Sequence, residues 1–348
     1  MSGLVEMSNN QRRMLVETRQ LWDAHAHARR RLAGYAGSVG WKTQAGSRYL
    51  VRIAPDPDTR VRKMRSLGPA SPETERRHDA FVAGKADAKA RFETIRVRLD
   101  EQARLNRAIG LGRVPRPVAR VLRLLDREGL LGRNVFVAGT HSLYAYEAAA
   151  GVFVEPDLTA TGDLDIVMDA RARLRLTLEG EPPRRLIDVL RSVDGSFETL
   201  ADGSWRAVNR DGFFIDLIKP EPRPPWRDEP DSFGAGDLVA APIANMRWVM
   251  NAPRFETVAV GEDGGPVPFA CADPRAFALY KLWMATRDPS RDPVKRRRDR
   301  LQSQTVAAIV ARYLTHLRFE PEHMRYFPLA AIDMASGGDE PMFPAPSV

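Results

Sequence analysis

The chain has 348 residues, of which 43% are hydrophobic and 28% charged, and its formal net charge is +8 at pH 7. This composition is typical of globular proteins and excludes fibrous, collagen-like and intrinsically disordered classes. A single cysteine, Cys271, excludes an internal disulfide framework and a cysteine-rich zinc site.

Charge is distributed unevenly along the chain. Residues 1–134 contain 28 lysines and arginines against 14 aspartates and glutamates, whereas residues 135–348 contain 25 against 31. A basic front half suits contact with a polyanion, and an acidic rear half suits the binding of metal ions. An equally acceptable alternative is that the front helices carry solvated arginines that have no partner.

Residues 1–110 are predicted to form a basic N-terminal region of helices with a β-hairpin. A surface helix is expected over 11–33, and a long charged helix is expected from Ser71, its N-cap, to about Ala108. Between them, alternating residues in 47–54 and a basic run in 60–68 flank a Pro/Asp-rich turn, which is typical of a hairpin. Its basic side chains would bind a phosphate backbone or would be ordinary solvated groups: Arg48, Arg52, Arg62, Lys63 and Arg65.

The pattern then changes to short strands and helices. Residues 111–235 are predicted to form a core, residues 236–327 a C-terminal helical region, and residues 328–348 a flexible tail. The predicted fold class is α+β, with a small mixed sheet flanked by helices. The strands of the core are expected at 134–139, 163–169 and 212–220.

Three aspartates lie within these apolar strands. Asp163 and Asp165 are two residues apart, so on a strand both carboxylates point to the same face, and two like charges held together suit hard cations such as Mg²⁺. Asp216 is embedded in the apolar run 213–218, where an uncompensated carboxylate is costly to bury. If the two strands are neighbours, the three carboxylates converge and would bind two divalent ions suited to nucleotidyl transfer.

A turn of small residues precedes these strands. Gly139 and Thr140 connect a strand to a helix that begins near Ser142, and free backbone N–H groups at such a helix start would hold a triphosphate.

In this order, the Gly-Thr turn, the Asp-x-Asp pair and the later strand aspartate resemble the DNA polymerase beta-like nucleotidyltransferase superfamily. Five segments, 66–75, 139–151, 161–171, 209–220 and 279–302, also look like a bacterial family known as nucleotidyltransferase fold proteins, whose substrate is not settled. This resemblance covers roughly residues 40–320.

The resemblance implies roles for individual residues. Asp163 and Asp165 would hold two Mg²⁺ or Mn²⁺ ions, and Asp216 would complete the catalytic metal site. Gly139, Thr140 and Ser142 would approach the nucleotide phosphates. The 24 positions between Gly139 and Asp163 exceed the usual spacing of minimal members, so an extra loop or hairpin is expected at 151–162.

Further cations lie on the C-terminal helices. Lys281 would bind a phosphate, as a helical-domain lysine does in related enzymes, or would be a lysine that extends from a half-buried helix to solvent. The basic run from Lys295 to Arg298 suits RNA or triphosphate, or is a solvated helix face.

The sequence therefore predicts a metal-dependent nucleotidyltransferase that moves a nucleoside monophosphate from an NTP to a hydroxyl. The basic front half favours RNA or tRNA as the acceptor. The alternatives are a protein or small-molecule acceptor, a non-catalytic nucleic-acid-binding protein on the same fold, and a glycosyltransferase that uses Asp-x-Asp. We expect a cytoplasmic protein without a signal peptide or membrane span, and a regulatory protein partner is conceivable.

Overall fold

The computed structural model describes residues 3–56, 61–169, 185–224, 226, 229–289, 291–318 and 321–336. Its helices are α1 Asn9–Ala33, α2 Pro72–Ala108, α3 Arg116–Arg127, α4 Ser142–Ala150, α5 Pro156–Thr159, α6 Leu186–Val193, α7 Met246–Asn251, α8 Pro274–Arg287, α9 Pro293–Tyr313 and α10 Leu329–Ser336. Its strands are β1 Val5–Glu6, β2 Ser38–Gln44, β3 Ser47–Pro55, β4 Arg62–Pro69, β5 Val135–Val137, β6 Val152–Phe153, β7 Asp163–Met168, β8 Glu198–Thr199, β9 Arg206–Val208, β10 Phe214–Pro220, β11 Ala241–Ile243, β12 Arg254–Val260 and β13 Pro266–Ala272. The predicted α+β class is confirmed.

The main sheet is mixed, with the strand order β12-β13-β5-β7-β10-β9-β8, and β11 pairs with the end of β10. Strands β7 and β10 are parallel, whereas β5 and β9 run antiparallel to their neighbours β7 and β10. In β5, Val135 and Val137 pack into one apolar cluster and Phe136 into another. The sheet is therefore covered on both faces here, which explains why β5 is a continuous apolar run.

A separate three-stranded antiparallel sheet lies in the N-terminal region, with the order β2-β3-β4. The predicted hairpin corresponds to β3 and β4, and the sequence analysis missed β2. The sheet contacts α2, which begins as predicted with Ser71 as its cap: the Ser71 hydroxyl accepts a hydrogen bond from the N–H of Thr74. Residues 57–60 of the predicted turn lie outside the described residues.

The C-terminal helices pack mainly on other helices. Helices α8 and α9 pack on each other, and α9 also contacts α4. Residues 329–336, which belong to the predicted flexible tail, form α10, whose Ala331 and Ala335 are buried in a cluster with α8. Residues 337–348 of the predicted tail lie outside the described residues.

Within the described residues, no helix combines the length and the apolar character needed to cross a membrane.

Candidate active site

The three predicted aspartates line one cavity of about 290 Å³. In the parallel pair β7 and β10, Asp165 lies directly opposite Asp216, and Asp163 lies two residues earlier on β7. Partners in a parallel ladder and residues two apart on a strand share a face, so all three carboxylates lie on the same side of the sheet. We refer to Asp163, Asp165 and Asp216 as the carboxylate wall.

Asp165 lies at the centre of this wall. Burial raises its pKa to about 6, and repulsion by Asp163 and Asp216 adds to the shift, whereas Lys281 and Arg291 oppose it. Its ionised form is therefore under-compensated, and a divalent cation would stabilise it. Asp163 accepts a hydrogen bond from the hydroxyl of Thr161, so one of its oxygens is already engaged.

Asp216 has a protein partner. The Nε and Nη2 atoms of Arg206 donate to its two carboxylate oxygens, each at 2.6 Å. The guanidinium carbon of Arg206 lies 4.5 Å from the ring centroid of Trp205 and 4.7 Å from that of Phe214. Arg206 lies on β9, which pairs with β10, so the sheet itself places this cation beside the carboxylate.

This ion pair bears on the predicted metal site. In the part of the chain that the structure describes, no group of three acidic, histidine or cysteine side chains is assembled to hold a metal ion. The pair Asp163 and Asp165 fits a divalent cation, because both carboxylates line the cavity and Asp165 lacks full compensation. Asp216 would join them only after Arg206 moves away, which modifies the prediction of three converging ligands.

Gly139 forms the turn that faces the carboxylate wall. Its φ is +61°, and a Cβ at this position would lie 2.0 Å from Oδ2 of Asp165, so only glycine fits without displacing the carboxylate. The N–H of the preceding residue, Ala138, donates to the carbonyl oxygen of Asp165 at 3.0 Å. The turn and the strand are therefore fixed relative to each other.

Thr140 and Ser142 also line the cavity, but their hydroxyl groups have partners within the protein. The Thr140 hydroxyl accepts a hydrogen bond from Nε2 of Gln302 at 3.2 Å, and the Ser142 hydroxyl donates to the carbonyl of Val137 at 3.4 Å. Ser142 is fully buried. Its hydroxyl is thus less available to a phosphate than the sequence analysis predicted.

The segment between the turn and the carboxylate strand contains the predicted extra structure. It forms β6 and the short helix α5, and β6 pairs antiparallel with β1 at the start of the chain. This insertion contributes Thr161 to the cavity.

Lys281 lines the same cavity and is buried, contrary to the alternative that it extends to solvent. Its Nζ lies 2.6 Å from Oδ1 of Asp299, and Nε of Arg291 lies 2.7 Å from Oδ2 of the same carboxylate. Burial lowers the pKa of Lys281, and Asp299 opposes the shift. We refer to the cations that line the cavity from α8, α9 and the residues between them as the helix wall: Lys281, Arg291, Lys295 and Arg298.

Sequence reasoning missed Arg206, Arg291, Asp299 and Gln302. For Asp299 and Gln302 a signal was present, because Lys295, Arg298, Asp299 and Gln302 follow the spacing of one helix face. No comparable signal marks Arg206, since its role depends on which strand pairs with β10.

The five basic residues of the hairpin do not line the cavity in the described structure. The β3–β4 register places Arg52 opposite Arg65 and Lys63 opposite Ala54. Because side chains alternate along a strand, four of the five basic residues share the face of the sheet that contains buried Leu50: Arg48, Arg52, Lys63 and Arg65. Arg62 lies on the other face. Arg48 stacks over Trp41 at 4.5 Å and Arg52 over Phe81 of α2 at 5.7 Å. Lys63 forms an ion pair with Asp56 at 2.6 Å. The predicted set is therefore not one continuous surface.

The chain was compared with models of known protein families. A family model described as Nucleotidyltransferase matches residues 116–326, which is more than half of the chain and includes every residue that lines the cavity. Neither the curated proteins nor the solved structures gave a significant match. The matched range begins after the N-terminal sheet and α2, so those elements lie outside the family's shared region. The chain belongs to this nucleotidyltransferase family.

Proposed function

We propose that this protein transfers a nucleoside monophosphate from an NTP to an acceptor hydroxyl in a metal-dependent reaction. The observation that carries the proposal is the register of β7 and β10, which sets Asp165 opposite Asp216 beneath the Gly139 turn in one cavity. Family membership supports nucleotidyl transfer in general. The proposed units are a basic N-terminal region at 1–110, a catalytic core at 111–235 and a C-terminal helical region at 236–327.

Asp163 and Asp165 would hold the divalent ions, Mg²⁺ or Mn²⁺, with Asp216 completing a two-ion site once Arg206 releases it. When bound, such ions favour deprotonation of the acceptor hydroxyl and neutralise the charge that develops on the leaving pyrophosphate. The Gly139 turn leaves room for phosphate oxygens because it has no side chain. Release of Arg206 would supply a further cation beside the reacting groups.

The acceptor that we propose is RNA, such as a tRNA. The support is the excess of lysine and arginine in residues 1–134 and the exposed cations on β4. Electrostatic contact with phosphates needs no continuous pocket, so the split of these cations over two faces is compatible with RNA that follows the edge of the sheet. Protein and small-molecule acceptors are the alternatives, and the experiment below distinguishes RNA from protein.

A non-catalytic nucleic-acid-binding role is the second candidate. The Arg206–Asp216 ion pair favours it, because an arginine that neutralises the third carboxylate removes the need for a cation at that position. This candidate predicts binding of RNA without turnover of NTP.

The decisive experiment incubates the full chain with each labelled NTP, with Mg²⁺ or Mn²⁺, and with total RNA or total protein. We expect label in the RNA pool, and EDTA should prevent it. Asp165→Asn should reduce labelling by about 1,000-fold, because loss of a metal ligand removes several kcal/mol of transition-state stabilisation. The matched control is Asp211→Asn, which neutralises an exposed carboxylate outside the cavity.

The outcomes separate the hypotheses. Equal labelling by Asp165→Asn and the unaltered protein would reject the metal role. Label in the protein pool alone would replace RNA as the acceptor, and no label in any pool combined with RNA binding would favour the non-catalytic candidate.

A further inference from the structure

Helix α9 carries a polar stripe, and two of its members, Lys295 and Arg298, line the cavity. The helix begins after Asp292, whose carboxylate accepts hydrogen bonds from the N–H groups of Val294 and Lys295. The stripe occupies four positions with the spacing of one helix face. Its members are Lys295, Arg298, Asp299 and Gln302.

Asp299 is the anchor of this stripe. It is fully buried, and its two oxygens bind different cations, Lys281 from α8 and Arg291 from the connection between α8 and α9. A buried carboxylate without partners would be strongly destabilising, so the two cations and Asp299 are held in a fixed arrangement. Lys281 and Arg291 both line the cavity.

The remaining members of the stripe are also held towards the cavity. Nη1 of Arg298 donates to the carbonyl of Ala160 at 3.2 Å, while its Nε is buried and has no hydrogen-bond partner among the described residues. Nε2 of Gln302 donates to the hydroxyl of Thr140 at 3.2 Å and to the carbonyl of Leu158 at 2.7 Å. The stripe therefore links the helix wall to the Gly139–Thr140 turn.

The charges of the two walls indicate what fits between them. The helix wall carries four cations, and Asp299 is the carboxylate that binds two of them. The carboxylate wall suits divalent cations. A chain of phosphates satisfies both walls, because its oxygens accept hydrogen bonds from lysine and arginine and also bind a metal ion.

We infer that Asp299 is a positioning residue that holds Lys281 and Arg291 at the helix wall, where they bind the polyphosphate of the substrate. The inference rests on the proposed function for the identity of the substrate, but it concerns binding and not transfer. Gln302 acts in the same way on Thr140. In this arrangement the nucleotide lies with its phosphates between the helix wall and the metal-binding carboxylates.

Asp299→Asn tests the inference, because its effect on net charge and its effect on the orientation of Lys281 and Arg291 predict opposite changes in anion binding. The substitution leaves the cavity one unit more positive, so net charge alone predicts tighter binding of an anion. Loss of the anchor predicts weaker binding, since Lys281 and Arg291 lose their fixed orientation. Titration calorimetry of the full chain with tripolyphosphate, ATP and AMP measures the difference.

We expect Asp299→Asn to weaken binding of tripolyphosphate and ATP by about tenfold, which corresponds to about 1.4 kcal/mol, and to weaken AMP binding much less. The matched control is Arg297→Gln, which removes a cation of α9 that does not line the cavity, and it should change binding less than twofold. Equal or tighter tripolyphosphate binding by Asp299→Asn overturns the inference. A uniform loss for ATP and AMP also overturns it, because it indicates a general distortion of the site.

A second variant covers the case in which Asp299→Asn does not fold. Arg291→Gln removes a cation whose side chain is 24% exposed, so the fold depends on it less, and it should also weaken tripolyphosphate binding by about tenfold. If Arg291→Gln binds as the unaltered protein does, the inference is wrong. If the unaltered protein binds tripolyphosphate and these variants do not, the inference holds even where no nucleotidyl transfer is detected. Failure of the inference and failure of the proposed function are therefore distinguishable.

Discussion

The cations of the N-terminal sheet and those of the helix wall differ in what holds them. On the sheet, Arg62 and Arg65 lie exposed on strand β4. In the helix wall, Lys281 and Arg291 share the fully buried Asp299. The front half has the large excess of basic residues, yet the cations that share a buried carboxylate and line the cavity belong to the rear half, in which acidic residues outnumber basic ones. The charge balance of each half of the chain is therefore a poor guide to where cations are held in a defined geometry around a cavity.

After the loss expected for Asp165→Asn, the largest effect should follow a change in the turn that faces the carboxylate wall. Gly139→Ala places a Cβ 2.0 Å from Oδ2 of Asp165 and should reduce nucleotidyl transfer by about 100-fold, because displacement of a reacting group by about 1 Å has effects of that size. The matched control is Gly110→Ala, which has a similar φ of +72° but no atom within 4 Å of the added Cβ. Transfer rates and thermal unfolding of both variants should be measured. Equal loss of activity in both would attribute the effect to backbone strain alone.

The second prediction concerns the stability of the carboxylate wall. The pKa of Asp165 is raised to about 6 in the folded protein, so between about pH 4 and pH 6 the unfolded chain binds fewer protons than the folded one, and stability falls as the pH rises. Asp165→Asn should therefore stabilise the metal-free protein by about 1 to 3 kcal/mol above pH 6.

Denaturant unfolding in EDTA at pH 4 and pH 8 measures this effect. The advantage of Asp165→Asn should shrink to a small fraction near pH 4, where Asp165 is protonated in the folded state and about half protonated in the unfolded state. The matched control is Asp211→Asn, which neutralises an exposed carboxylate outside the cavity. A variant that is less stable than the unaltered protein at pH 8 would contradict the raised pKa of Asp165, which burial and the neighbouring carboxylates cause.

The third prediction addresses the N-terminal sheet. Replacement of both Arg62 and Arg65 by Glu should weaken RNA binding by about three- to tenfold at moderate salt. It should also make the binding constant less dependent on salt: the slope of log K against log salt should fall by about 0.7 to 0.9 for each RNA phosphate that the variant no longer neutralises. ATP binding should not change, since neither residue lines the cavity. The control reverses two exposed arginines of α2, Arg91 and Arg98, and alters the net charge by the same amount. If both pairs have the same effect, the sheet does not bind RNA specifically.

The smallest effect should follow loss of the α2 cap. Ser71→Ala removes the side-chain acceptor for the Thr74 N–H and should lower the free energy of unfolding by about 1 kcal/mol. Ser71→Asp keeps an acceptor at this position and should therefore retain most of the stability that the cap contributes. Denaturant titrations would measure both. If the N-terminal region is a unit of its own, ATP binding should be the same in the two variants. A parallel loss of ATP binding in Ser71→Ala would instead couple the sheet to the cavity.

The sequence was informative wherever a local pattern determines the structure. Asp163 and Asp165 could be placed on one face because strand side chains alternate, and Ser71 could be identified as a cap because Pro72 and two glutamates follow it. The hairpin followed from alternation on both sides of a turn. These features depend on neighbouring residues alone.

The features of the site that the sequence did not predict depend on tertiary contacts. Arg206 binds Asp216 only because β9 pairs with β10, and Asp299 binds Lys281 only because α8 and α9 pack together. In the sequence, Asp299 is one charge within a charged run, which a solvated helix face would show equally well. The helix at 329–336 was missed because Gly and Pro in the following residues suggested a frayed end for the whole segment.

The pairing of β1 with β6 ties the first described residues to the insertion that leads into the carboxylate strand. Two segments separated by about 150 positions therefore have to meet before that insertion takes its final place. Because of this pairing, the chain could be divided experimentally into two fragments that reassemble. A peptide of residues 3–33, which contains β1 and α1, should restore activity to a chain that lacks them, and the dose of peptide would then control the enzyme.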